Sequence, residues 1–328
     1  MAKNSKIEWT NHTANLWWGC TKVHEGCDNC YALSFSKRIG NDIWGDDKPR
    51  RMVADVWDNL KTWQNNAKKA NEIHRVFVAS MMDIFEKSKD NMVDHKGNPI
   101  EGSTGILRDK FFNEVVPASP NLMFLLLTKR PSNINKMIPK EWLTNPPKNV
   151  MFGTSPVNTK TAKGLIKQLQ KVNGYKFLSV EPQLENITNI DLTGIDWVIQ
   201  GGESGHGKRP FDPDWGRTLR DICKERNVPY FFKQIDKKQE IPEDLKVRQY
   251  PKFFKSENEL LIDYHFSVDA IQWITDYTSE VNVMKFNNLY SDLSFDEYVI
   301  NDDALQLTEK IKNQNITFFE EYKSGFID

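Results

Sequence analysis

Cys20, Cys27 and Cys30 stand close together in the run GCTKVHEGCDNCYA, separated by six and then two residues. Thiolates are soft ligands suited to iron-sulfur coordination. Three of them leave one iron of a [4Fe-4S] cube without a cysteine, and an open iron can bind the amino and carboxylate groups of S-adenosyl-L-methionine and pass an electron to its sulfonium. The same thiols, completed by His24 or a carboxylate, would instead meet the four-ligand demand of a structural zinc. Unrelated thiols are a third reading, and His24, inside the six-residue spacer, also reads as an ordinary surface histidine. Cys223, in RTLRDICKERN, has the surroundings of a buried helix face rather than of a ligand.

Other reactive side chains follow apolar runs. Asp83, Glu181 and Glu203 are the candidate catalytic carboxylates, able to orient a proton or accept a ligand hydroxyl or amine. Asp83 reads equally as a turn or cap acceptor. Thr154, Ser179, Glu181, Gly201, Gly202 and Glu203 form the expected cofactor-contact set. The glycines of GGESG (201–205) would allow close backbone approach, but a structural turn accounts for them as well, and the run is not a dinucleotide fingerprint. Lys129, Arg130, Arg209 and Lys233 are candidate anion or substrate contacts, and Gln234 offers an amide to a base edge. Trp9, Trp17 and Trp18 with Lys22, Arg50 and Arg51 suggest a stacking and phosphate-binding margin. Core packing with scattered surface charge explains the same residues. Tyr31 is placed to pack beside a cofactor or in the core. No HExxH spacing, helix-turn-helix, zinc finger or RNA-recognition module is legible.

These positions need a frame that gathers them. HRVFVASMMDIF (74–85), NLMFLLLTKRP (121–131), NVMFGTSPVN (149–158), YKFLSVEPQL (175–184), IDWVIQGGESG (195–205) and VPYFFKQI (228–235) are short apolar runs consistent with strands buried on both faces. RDKFFNEV, NTKTAKGLIKQLQKV and DPDWGRTLRDICKERN between them have helical spacing, and another helix is expected to start near Tyr31. The alternation predicts an α/β fold, a parallel (β/α) partial TIM barrel whose strand C-termini converge on one face. Residues 1–236 form the expected core with its N-terminal cysteine loop. Residues 237–328, rich in aromatic, acidic and lysine residues, are expected to form a C-terminal α/β extension or lid.

With 328 residues, 39% of them hydrophobic and 27% charged, the chain is long enough for a sizeable core. Its 44 basic and 45 acidic side chains nearly cancel, so net charge argues for neither nucleic acid nor membrane, though a local basic cleft remains open. No apolar run reaches membrane-span length and the opening MAKNSKIEW lacks a signal core, so no membrane partner and a cytoplasmic location are expected.

The cysteine loop, ending in CYA, resembles the cluster loop of radical SAM proteins, especially relatives of spore photoproduct lyase, with an expanded spacer between the first two cysteines. WTNHTANLWWGCTKVHEGCDNCYA, followed by SMMDIF, LLLTKRP, LSVEPQL and GGESGHGKRPFDPDWGRTLRDIC, more closely resembles a radical-SAM-like phage and prophage family of unknown function carrying three cysteines. That resemblance covers roughly residues 6–236. It implies a radical SAM-like partial barrel, Cys20, Cys27 and Cys30 as cluster ligands, and S-adenosyl-L-methionine cleaved to a 5′-deoxyadenosyl radical. It also implies an electron donor such as flavodoxin or ferredoxin, and modification or repair of a nucleic acid or nucleotide. The alternative is a noncatalytic, metal-stabilised module that binds nucleic acid or protein.

Overall fold

Runs rich in large apolar residues build one sheet of seven strands: β1 (His12–Ala14), β2 (His74–Val78), β3 (Leu122–Thr128), β4 (Val150–Thr154), β5 (Tyr175–Val180), β6 (Trp197–Gly201) and β7 (Tyr230–Gln234). They lie side by side in chain order and every pairing is parallel. The computed structural model describes residues 5, 7–205 and 207–254. Six strands fall within the expected runs. β1 is the addition: NHTAN is too short and polar to read as a strand, and it exists because its backbone pairs with Val76–Val78 of β2.

The result is an α/β fold with a curled half-barrel sheet, as expected of a generic partial (β/α) barrel. The connections carry α1 (Tyr31–Arg38), α2 (Val56–Ala70), α3 (Thr104–Lys110), α4 (Ile134–Met137), α5 (Thr159–Leu169) and α6 (Pro213–Glu225). α2 was not anticipated from the sequence, although Val56, Leu60, Trp63 and Ala67 form a buried stripe at helical spacing. Asn71, at φ 53°, stops it in the left-handed conformation that asparagine tolerates. α5 starts on a reciprocal Asn158–Thr161 cap, and α6 on Asp212 followed by Pro213. α3 continues into a π-helical turn, Phe111–Val115, that buries Phe111 and Phe112.

Period-two alternation gives the sheet two apolar faces. One, with Val76, Phe124, Leu126, Phe152, Val198 and Phe232, packs under the helices and includes Cys223, which is indeed a buried helix-face residue. The other carries Phe77, Leu125, Met151, Phe177, Trp197 and Phe231, and Trp9 and Phe254 fill it from outside the strands. After β7 the chain turns back: Phe232 N–H donates to Val247 O (3.0 Å), Gln249 N–H to Tyr230 O (3.0 Å) and Trp197 Nε1–H to Gln249 O (2.9 Å). Residues 237–254 therefore pack along the edge strand. The expected extension lies, from residue 255 onward, outside the described residues. Among the described residues no helix is long and apolar enough to cross a membrane.

At the N-terminal ends of β1 and β2, His12 stacks on Trp63 (4.4 Å between centroids) and meets His74 Nδ1 through Nε2 at 3.1 Å, while His74 contacts Glu72 at 2.9 Å. Burial, and then the neighbouring His74, push the His12 pKa down from 6.5 to about 4. The folded state therefore binds fewer protons than the unfolded state between those values. This contribution to stability is complete above pH 6.5 and is lost as pH falls through 4. Water reaches the His74 side, so the expected loss is discounted to on the order of 1–2 kcal/mol. Urea unfolding at pH 7 and pH 5 is expected to show a smaller fall in stability for His12→Asn than for the wild type; equal falls would refute this origin.

Candidate functional site

The C-terminal ends of the strands surround a cavity of about 660 Å³, within the range of small-molecule sites. Its walls are mainly apolar, with Trp9, Phe77, Met81, Met82 and Leu127 inside and Tyr31 at the mouth. Tyr31 exposes more than half its surface while donating its hydroxyl to Ser80 O at 2.7 Å. Of the residues singled out from the sequence, Asp83, Lys129, Arg130, Ser179, Glu181, Gly202, Glu203 and Lys233 line this cavity, with Cys20, Cys27 and Cys30. Thr154, Gly201, Arg209 and Gln234 do not.

The carboxylates are each held. Asp83 Oδ1 accepts from Phe85 N–H (3.0 Å) and Thr128 Oγ1 (2.7 Å), and Oδ2 from Lys129 N–H (3.3 Å) and Arg130 Nη1 (2.7 Å). It thus ties the turn after β2 to the end of β3. Glu181 pairs with Lys233 at 2.5 Å. Glu203 accepts from Asn29 Nδ2 (2.8 Å), Arg209 N–H (2.9 Å) and Arg209 Nη2 (2.6 Å). Burial alone would raise the Glu203 pKa, but the Arg209 and Asn29 hydrogen bonds hold it below the usual carboxylate range. Arg209, off the cavity, serves this carboxylate, and Asn29 joins the cysteine loop to β6, a role the sequence did not suggest.

Gly202 is set by close packing. Its N–H donates to Gln234 O and its carbonyl accepts from Gln234 Nε2, both at 3.0 Å. A Cβ at residue 202 would stand 2.1 Å from Ile235 O and 2.7 Å from Phe211 Cβ. Thr154 is fully buried and donates to Thr128 O at 2.8 Å, which locks β3 to β4.

The aromatic and basic margin is corrected in part. Trp9 and Trp17 are core residues, 2% and 0% exposed. Arg50 is fully buried and bidentate to Glu86, with Nε–Oε2 2.9 Å and Nη2–Oε1 2.8 Å. It also donates to Thr21 Oγ1 (3.0 Å) and Lys48 O (2.9 Å) and so cannot meet a phosphate in solution. Arg51 lies over the Trp18 ring at 3.9 Å.

The cysteines are half-buried free thiols. Cys20 Sγ donates to Thr21 O (3.5 Å) and accepts from Arg130 Nη1 (3.9 Å), so a cation already faces its sulfur. Burial, then Asp83 and Glu86, push its pKa up to about 12, which keeps it a neutral thiol at pH 7. Cys27 ends the short turn Glu25–Cys27, and Cys30 precedes α1. Among the described residues no group of three or more His, Cys, Asp or Glu side chains is placed to hold a metal ion. This corrects the expected ligand set Cys20, Cys27 and Cys30, and with it the [4Fe-4S] cluster, the S-adenosyl-L-methionine cofactor, the radical enzyme and its flavodoxin or ferredoxin donor. The zinc version with His24 falls on the same finding. His24 instead caps its own turn, its Nδ1 accepting from Gly26 N–H at 3.1 Å.

Two residues that line the cavity, Trp9 and Ser155, each have a buried polar atom, Nε1 and Oγ, without a hydrogen-bond partner among the described residues. Ser155 follows β4 directly, so its place among the polar residues beyond strand ends was legible, but its lack of a partner was not.

No curated protein and no solved structure matches the chain. The expected radical-SAM-like phage family is not the one that matches. A family model described as Protein of unknown function (DUF5131) matches residues 4–298, and the chain belongs to that family.

Proposed function

We propose that the chain acts by binding, and that the cavity at the strand ends receives one nucleotide unit, free or unpaired in a strand. The observation that carries this is a cavity of about 660 Å³ with mainly apolar and aromatic walls, two of whose residues hold a buried polar atom without a partner among the described residues, Trp9 Nε1 and Ser155 Oγ. A flat base gains from aromatic and apolar surface whatever its sequence, and a few polar groups then orient it. Asp83, Glu181 and Glu203 are engaged in ion pairs, which supports a scaffolding role for them rather than proton transfer. The free thiols support a reducing, cytoplasmic setting.

Calorimetric titration of the full chain with nucleosides, 5′-mononucleotides and a short single-stranded oligonucleotide tests the reading. Saturable one-to-one binding is expected, and Leu127→Trp, which places a bulky ring in the cavity wall, is expected to weaken it at least tenfold. A mononucleotide bound as tightly as the oligonucleotide identifies the free form as the ligand; a clear preference for the oligonucleotide identifies the strand. Heat-silent mixing in every titration, with equilibrium dialysis agreeing, would sink the proposal.

A further inference from the structure

We infer that Lys129 and Ser155 together seat the phosphate of that nucleotide, an inference that rests on the pocket reading above. The Thr128–Thr154 register sets the ends of β3 and β4 side by side, so the next residues, Lys129 and Ser155, leave adjacent strands into one cavity wall. Ser155 is 1% exposed and its Oγ has no partner among the described residues. A buried hydroxyl left unpaired carries the cost of its lost hydration, and a ligand oxygen accepting from it removes that cost.

Charge points the same way. Around the cavity Asp83 is met by Arg130, Glu181 by Lys233, Glu203 by Arg209 and Asp28 by Lys22. Lys129 is half-buried and its ammonium makes no ion pair among the described residues. Lys237, on the exposed rim, is the other lysine of the lining in that position. With the carboxylates of the lining paired, the site carries a surplus positive charge, and Lys129 brings it beside the unpartnered Ser155 hydroxyl. A phosphate presents several strong acceptor oxygens and takes both donors at once, with the charge-assisted bond the stronger.

The test compares adenosine, adenosine 5′-monophosphate and inorganic phosphate on the full chain at one low ionic strength. The wild type is expected to bind the monophosphate at least tenfold more tightly than adenosine. Lys129→Gln is expected to erase most of that advantage, and Ser155→Ala to reduce it about fivefold, each read as the ratio of monophosphate to adenosine affinity of the same variant. Lys237→Gln is expected to change monophosphate affinity less than twofold. Lys129 lies partly in solvent, so its variant folds even if Ser155→Ala does not. Equal affinity for adenosine and its monophosphate overturns the phosphate seat and leaves the pocket reading standing, and dependence on Lys237 instead of Lys129 overturns it too. If neither nucleoside nor nucleotide binds, the pocket reading fails. In that case Lys129-dependent binding of inorganic phosphate supports the seat, and its absence overturns it.

Discussion

Arg50→Met lowers the free energy of unfolding by about 3 kcal/mol, because it takes the bidentate partner from the buried Glu86 carboxylate and leaves it only Arg130 Nη2, 3.8 Å away. Arg50 has a fully buried side chain and Glu86 one only 4% exposed, and the guanidinium also holds Thr21 Oγ1 and the carbonyls of Gly45 and Lys48. Loss of the cation removes a bidentate pair and the anchor between the short strand Arg50–Met52 and Thr21 of the cysteine loop. Urea unfolding reads the stability change. Arg50→Met/Glu86→Leu is expected to recover part of it, since an apolar pair of similar volume does not strand a charge. Because Thr21 adjoins Cys20, the single variant is also expected to expose that thiol, read as faster reaction with a thiol reagent at pH 7. A stability change below about 1 kcal/mol would show that water reaches Glu86 in the folded protein.

Trp197→Ala is expected to cost about 3–5 kcal/mol, the range for deleting a large buried aromatic side chain. Trp197 is fully buried at the start of β6, with ring centroids 6.2 Å from Trp9, 6.2 Å from Phe231 and 5.3 Å from Phe254. Its Nε1–H holds Gln249 O, so truncation both opens a cavity and frees an acceptor in the returning segment 237–254. Trp197→Phe keeps most of the volume but loses the bond, and is expected to cost roughly half as much. Trp9 packs on Trp197 and also lines the ligand cavity, so both variants are expected to weaken nucleoside binding in proportion to the stability lost. Thermal unfolding and calorimetric titration on the same preparations check the two effects together.

The legible parts of the fold are those that local patterning dictates. Leu122–Thr128 and Val150–Thr154 are continuous apolar runs, and Thr159–Leu169 has an amphipathic stripe behind an Asn cap, so strand and helix follow from the residues. β1 was not legible because three residues, His12–Ala14, become a strand only when β2 offers a partner. α2 carried a readable stripe, and the polar residues between its apolar positions obscured it.

The candidate site divides in the same way. Ser80, Asp83, Lys129, Ser155, Glu181 and Glu203 each follow a strand run, and a parallel sheet brings strand C-termini to one face, so their convergence on one cavity was predictable. Their states were not. A sequence does not say that Arg130 turns to Asp83 and Cys20, that Arg209 closes on Glu203, or that Arg50 is buried on Glu86. The cysteine spacing suggests a metal centre because it registers only nearness in the chain, whereas the fold sets the Arg130 guanidinium on Cys20 Sγ and Thr21 O and gathers no three-ligand group among the described residues. By itself, then, the sequence determined the α/β alternation and which strand ends bear chemistry, since both follow from periodicities of a few residues. Only the tertiary structure decided which charges pair and which buried hydroxyl has no partner among the described residues, because pairing and burial depend on contacts between residues far apart in the chain.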